Sequence, residues 1–413
     1  MVLDRPAVPA APAPPCRADR DPVQRAVWPD RVFITSLAAI CGLTAFIGVA
    51  PVVSFGHDIF FSLDNSYRVL QGQIPHRDFE SAWGPLIYLI DAVGLRLSGL
   101  RPEGLGYANA IFGALIATWA YLVGRRRLSP WASCVLGIYT LLLIVAPFSL
   151  GYGPLNFSHA MTYNRYGFAL LGIAILECAT ASPGAGGGWS TGIAFASLAF
   201  LKVTYAVVAV PLILITGGAS QFRKKRLVAI CGGGVLVAML VLLHLRFDIT
   251  DMVNDLAMAA SGRGRSWKPR QILALGFGEL AESVPLLLLA LAAGTSRLRW
   301  CGIAVMTLAL GGFLLSTNHQ PATLPLNAFV AVVLADTFFR QSAGAGRSVE
   351  GAIVAFLTLA CVVPFCFESG RSLVAAAGEK LRPPSGEVVR LDSDRGASLI
   401  FRRGPFETET GGP

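Results

Sequence analysis

The stretch His57 to Tyr88, HDIFFSLDNSYRVLQGQIPHRDFESAWGPLIY, decides the fold, and it directly follows a long apolar run, Val32 to Val53. A run of that length crosses a hydrocarbon core of roughly 30 Å, so the polar stretch after it emerges at a membrane surface. Asp58 stands at that membrane end. From Ile59 onward, Ile59, Phe60, Leu63, Tyr67 and Leu70 recur at three- and four-residue steps. That spacing puts them on one helix face, with Asp58, Ser62, Asn65 and Arg68 turned elsewhere. The helix is too short to span and is expected to lie along the interface. Gly72 ends it, Pro75 opens a charged turn (PHRDFE), and Trp83-Gly84-Pro85 re-enters an apolar run.

The rest of the chain agrees with a membrane setting. Apolar residues make up 54% and charged residues only 14%, which is membrane composition. The formal charge of +9 lies in short clusters between apolar runs. Such clusters read as topology determinants, and nucleic acid is not an expected partner. Eight cysteines are scattered without a C-x-x-C pair, so neither a zinc site nor a disulfide framework is indicated. The first apolar run starts too late and is too long for a cleavable signal peptide.

Taken in order, residues 1–31 form a Pro/Ala-rich tail expected to be disordered and cytoplasmic. Residues 32–367 form the transmembrane domain, with a first external loop over 54–104. That loop holds a second interfacial helix, Gly84 to Leu97, interrupted by Asp91 and Arg96. Further spans are expected over Leu105–Gly124, Pro130–Phe148, Tyr166–Ala181, Leu227–Leu245, Val284–Ala293, Cys301–Leu315, Leu324–Phe339 and Ala352–Phe367. Trp189 to Thr216 is too long for one ordinary span. It reads as two short helices meeting at Lys202, which places that residue at the external surface. Residues 368–413 would be a short external tail.

With the N-terminus inside, about eleven crossings put Arg125–Arg127, Arg223–Arg226, Arg297/Arg299 and Arg340/Arg347 on the cytoplasmic side, as the positive-inside rule requires. The loops carrying Asp58, His159, Arg263 and Asn318 then converge outside. The expected class is an all-α polytopic integral membrane protein.

The loop also carries a resemblance. An acid just after the first span, a Gly fourteen residues on, a P-H-R-D-F turn and a G-P-L-x-Y restart resemble the first external loop of bacterial polyprenyl-phosphate-sugar glycosyltransferases. These are the GT-C-fold enzymes, among them protein mannosyltransferases and lipid A aminoarabinose transferases. The match covers residues 57–88; beyond it only the hydropathy layout is similar. On this resemblance Asp58 falls on the catalytic acid, and Gly72, Pro75, Arg77, Asp78, Pro85 and Tyr88 on the loop pattern. Ile59 stands where relatives often have a second acid, and Trp83 where many have a Lys. The resemblance implies a polyprenyl-phosphate-sugar donor, a glycan, lipid or protein acceptor, and a GT-C-like fold in a bacterial inner (plasma) membrane.

Asp58 can serve as the base that deprotonates an acceptor hydroxyl, or as ligand to a divalent metal ion that lowers the hydroxyl pKa; the plainer reading is a helix N-cap. Arg77 and Asp78 shape the loop or touch substrate. In the second loop His159, Asn164 and Arg165 offer hydrogen bonds to a sugar or phosphate, although an Arg there can simply snorkel. Arg263, Arg265, Lys268 and Arg270 combine positive charge with glycine-permitted backbone approach and suit a phosphate diester, or anionic headgroups in general. Lys202 is a candidate because ionisable groups within apolar segments usually carry function. His319 and Gln320 close another turn and could bind sugar hydroxyls. A polysaccharide polymerase or ligase, and a lipid-linked-glycan transporter, are the alternatives; a transporter would show broken helices in paired positions and internal repeats.

Overall fold

The computed structural model describes residues 22–180, 187–218, 223–261, 269–292, 297–318, 320–342, 348–382, 388–392 and 398–402. They form fifteen helices and one small hairpin. The helices are α1 (Pro22–Ile47), α2 (Gly56–Leu70), α3 (Leu86–Leu97), α4 (Gly104–Arg125), α5 (Pro130–Val145), α6 (Thr162–Ala179), α7 (Trp189–Leu201) and α8 (Val203–Gly217). They continue with α9 (Lys224–His244), α10 (Thr250–Ser261), α11 (Pro269–Gly278), α12 (Leu280–Ala292), α13 (Arg297–Asn318), α14 (Leu326–Gln341) and α15 (Ser348–Leu381). Strands β1 (Val388–Asp392) and β2 (Ser398–Arg402) pair antiparallel.

Among these, five helices are long and apolar enough to cross a membrane, or six if the bent pair α11–α12 makes one span. The protein is therefore an all-α membrane protein by its helices. The expected eleven crossings are more than that set supplies, because several apolar helices are short. Spanning straight needs about 20 residues, whereas α5, α7 and α8 have 16, 13 and 15.

Side chains on α9 face outward along nearly its whole length, as lipid-facing helices do, while α6 is buried end to end and forms the centre of the bundle. Close helix contacts rest on small residues, the usual solution where burial of apolar surface gives no drive between helices. A Cβ on Gly192 of α7 would lie 2.0 Å from the Ile230 carbonyl oxygen of α9, and one on Gly94 of α3 would lie 2.0 Å from the Gly104 carbonyl oxygen.

The sequence reading is corrected at both ends. Helix α1 already runs from Pro22, within the tail expected to be disordered, and stops at Ile47 rather than Val53. Helix α15 continues through Phe367 to Leu381, and the hairpin after it returns to the start of α2. The interfacial helix is oriented by its polar side. Ser62, Asn65 and Ser66 of α2 face the protein with Ile59, while Phe60, Phe61 and Tyr67 face outward. Ser62 bonds Asp91 and Asn65 bonds Tyr88 on the inward side, and outward aromatics suit an apolar or interfacial surrounding.

Candidate functional site

Four segments meet at one end of the bundle. The first is the start of α2, where Phe55 takes the left-handed conformation (φ 57°) and offers no side-chain cap. Asp58 lies in the first turn and is not the N-cap that the plainer reading expected. Its carboxylate accepts the backbone N–H of Met161, the left-handed N-cap residue of α6, so it closes the positive end of that helix instead. Burial pushes the Asp58 carboxyl up, and the charges of His57 and Lys202 together with the Met161 N–H oppose that shift. The His57 ring lies 2.9 Å from Asp58 Oδ1 and is largely exposed.

The second segment is the break between α7 and α8. Lys202 takes an extended conformation (φ −164°, ψ 115°) there, so the two-helix reading of Trp189–Thr216 holds. Its side chain is buried rather than at the surface, with Nζ 4.2 Å from the centroid of the Tyr163 ring. A cation over a ring face gains from the ring quadrupole. The break frees the Leu201 carbonyl, which accepts the Gly84 N–H at 3.1 Å. Only glycine fits at that place: a Cβ on Gly84 would lie 2.0 Å from the Phe200 oxygen. The docking puts Trp83, third of the four segments, 4.7 Å from Tyr163 by ring centroids and 5.4 Å from Phe61. Trp83 is thus part of an aromatic wall beside the Lys202 ammonium.

The fourth segment is the second loop with the turn after α13. Gly151 packs so tightly on that turn that an added Cβ would meet Ala322 N at 2.7 Å. Asn318 donates to the Tyr205 hydroxyl at 3.2 Å. Gln320 donates to Ala322 O and Thr323 O, which fixes the turn. His159 is buried, and its Nε2 finds no partner among the described residues; burial, helped by Arg165, lowers its pKa to about 4. Arg165 does not snorkel. It is 2% exposed, donates to Leu143 O at 3.2 Å and stacks on Phe148. Asn164 is buried beside it.

Sequence reasoning passed over Asp91. It is buried on α3 and hydrogen-bonds Ser62, one turn beyond Asp58 on α2, and burial raises its pKa to about 8. Ser62, Asp91, Leu105, Asn109, His159 and Thr162 line one narrow crevice. An acid interrupting an apolar helix was the available signal.

Arg77 and Asp78 lie elsewhere. They pair with each other at 3.0 Å, Asp78 also accepts the Ile74 N–H, and their further charged neighbours are Arg246, Asp248 and Asp251 near the start of α10. The Arg77 guanidinium holds the Asp78 carboxyl below the usual range. Arg270 is exposed at the start of α11. Arg263, Arg265, Lys268 and His319 lie outside the described residues.

A divalent ion at Asp58 would need further oxygen or nitrogen donors. Among the described residues no three His, Cys, Asp or Glu side chains gather to hold one, and the Lys202 charge already acts on Asp58. This donor set does not fit an ion held by side chains alone, and no step below is routed through one.

A scan against protein-family models, a search of curated proteins and a search of solved structures each returned no match.

Proposed function

We propose that the chain is a GT-C-like membrane glycosyltransferase that takes a sugar from a polyprenyl-phosphate donor at the external leaflet and gives it to an envelope glycan, lipid or protein. One observation carries the reading: the Asp58 carboxylate, bound to the Met161 amide at the start of α6, lies within electrostatic reach of the Lys202 ammonium, which sits over the Tyr163 ring of the Trp83–Tyr163 wall. The acceptor O–H gives its proton to Asp58 as its oxygen bonds to the anomeric carbon. The bond from that carbon to the phosphate oxygen breaks, and the electron pair leaves with the lipid phosphate. Lys202 and the α6 terminus stabilise that charge. The outward Phe60 and Phe61 lie on the side from which a lipid chain would approach.

Trp83 supplies a test. A polyprenyl monophosphate titrated into the purified protein should quench tryptophan emission with saturation, and Lys202→Gln should weaken that binding. Equal binding by wild type and Lys202→Gln sinks the phosphate role.

A second observation favours a lipid-linked-glycan transporter. Two helices are broken, α7–α8 at Lys202 and α11–α12 by 79°, and broken helices are what transporter sites use. In that reading Asp58 does no chemistry, so Asp58→Asn separates the two.

A further inference from the structure

The C-terminal hairpin has no task in the chemistry above, yet it sits against the start of α2. Val52, in the connector between α1 and α2, donates to Ile400 O and accepts from Arg402 N, both at 2.8 Å. On the connector's other side Val53 donates to Phe157 O, and Ser54 O accepts the Ser158 hydroxyl. Phe401 stacks on Phe60 at 5.5 Å, and its ring lies 3.1 Å from where a Gly56 Cβ would stand. Leu399 packs in a small cluster with Val52, Ile59 and Leu105. Arg402 clamps Glu379 of α15 with both terminal nitrogens, at 3.2 and 2.7 Å, which anchors the hairpin.

These contacts matter because α2 does not fix its own beginning. Its N-cap residue makes no side-chain cap bond and adopts a left-handed conformation, which is unfavourable for a residue other than glycine and persists only where surroundings impose it. Asp58 lies three residues beyond that point. A small rotation of the first turn would move its carboxylate off the Met161 amide.

We propose that the C-terminal hairpin is a positioning element: it pins the α1–α2 connector and the first turn of α2, and through them the direction in which Asp58 presents its carboxylate. The link to catalysis rests on the reading of Asp58 given above.

The test compares full-length wild type, Phe401→Ala, Phe401→Leu, Arg402→Lys and Asp58→Asn. Three quantities are read: amide hydrogen exchange over residues 50–63, binding of polyprenyl monophosphate, and restoration of envelope glycan in cells lacking the gene. Phe401→Ala should speed exchange in that segment about tenfold, a signature of local opening. Probe affinity should stay within about twofold while glycan restoration falls about tenfold, because orientation is lost and binding is not. Phe401→Leu should recover most of the loss. Arg402→Lys, which loosens the anchor and keeps the ring, should give the same pattern more weakly, and it decides the matter if Phe401→Ala does not accumulate. Unchanged exchange overturns the proposal, and so does faster exchange with unchanged glycan. Full restoration by Asp58→Asn defeats the transferase reading alone, and the exchange data then still decide whether the hairpin holds α2.

Discussion

The Lys202 ammonium sits 4.2 Å from the centre of the Tyr163 ring, at the point where α7 gives way to α8. The pairing joins the start of α6 to the α7–α8 break and holds a buried cation within electrostatic reach of Asp58. Replacing Lys202 by Gln keeps a polar side chain, one bond shorter, but removes the charge. Affinity for polyprenyl monophosphate should fall about tenfold, equivalent to about 1.4 kcal/mol. The fall should persist at high salt, because a buried contact is screened far less than an exposed one. Titration by tryptophan quenching checks both points.

Asp91 makes stability depend on pH. Its pKa in the fold is about 8, against about 3.9 for a free Asp. The folded state therefore binds the proton more tightly, so the stabilisation is complete in acid and is lost as pH rises toward 8. The slope is at most about 1.4 kcal/mol per pH unit. Melting temperatures of wild type should decline between pH 5 and 8, and those of Asp91→Asn should decline less. Parallel curves would contradict the protonated state of Asp91.

Gly84→Ala should damage the site without touching a charged group. The new methyl would overlap the Phe200 carbonyl, and such overpacking costs about 1–3 kcal/mol. A lowered melting temperature together with weaker probe quenching, because Trp83 is displaced, is the expected pair of results.

The first loop is tied down by Asp255 of α10, which accepts from Ser81 N and pairs with buried His76, both at 2.9 Å. Asp255→Ala leaves buried His76 and the Ser81 N–H without their partner, and leaving a buried polar group unpaired costs about 1–3 kcal/mol. Trypsin should then cut after the exposed Arg77 faster than in wild type. An unchanged cleavage rate would show that the tie is not what orders the loop.

Much of this arrangement was legible in the sequence because local chemistry imposes it. The helix with Phe60 and Tyr67 on one face, the stop at Gly72 and the break at Lys202 appear where periodicity and charge placed them, while Ile59, expected on the Phe60 face, turns inward with Ser62. What was illegible depended on partners distant in the chain. Nothing near Asp58 says that it closes α6, because Met161 lies over a hundred residues away. Which face of α2 turns inward was hidden for the same reason, since Ser62 is buried to reach Asp91. The span count suffered from the shortness of α5, which hydropathy alone does not register, and from counting α7 and α8, already read as short, as full crossings. Residues 368–413 look like a plain tail until Val52 is seen to pair with β2.

The most direct measurement is envelope-glycan analysis of cells lacking the gene, complemented with wild type or Asp58→Asn at equal membrane levels. Removing a general base costs on the order of 10²–10⁴ in rate, so wild type should restore the missing species and Asp58→Asn should not. Full restoration by Asp58→Asn would show that Asp58 only caps α6, contradict the transferase account and favour the transporter.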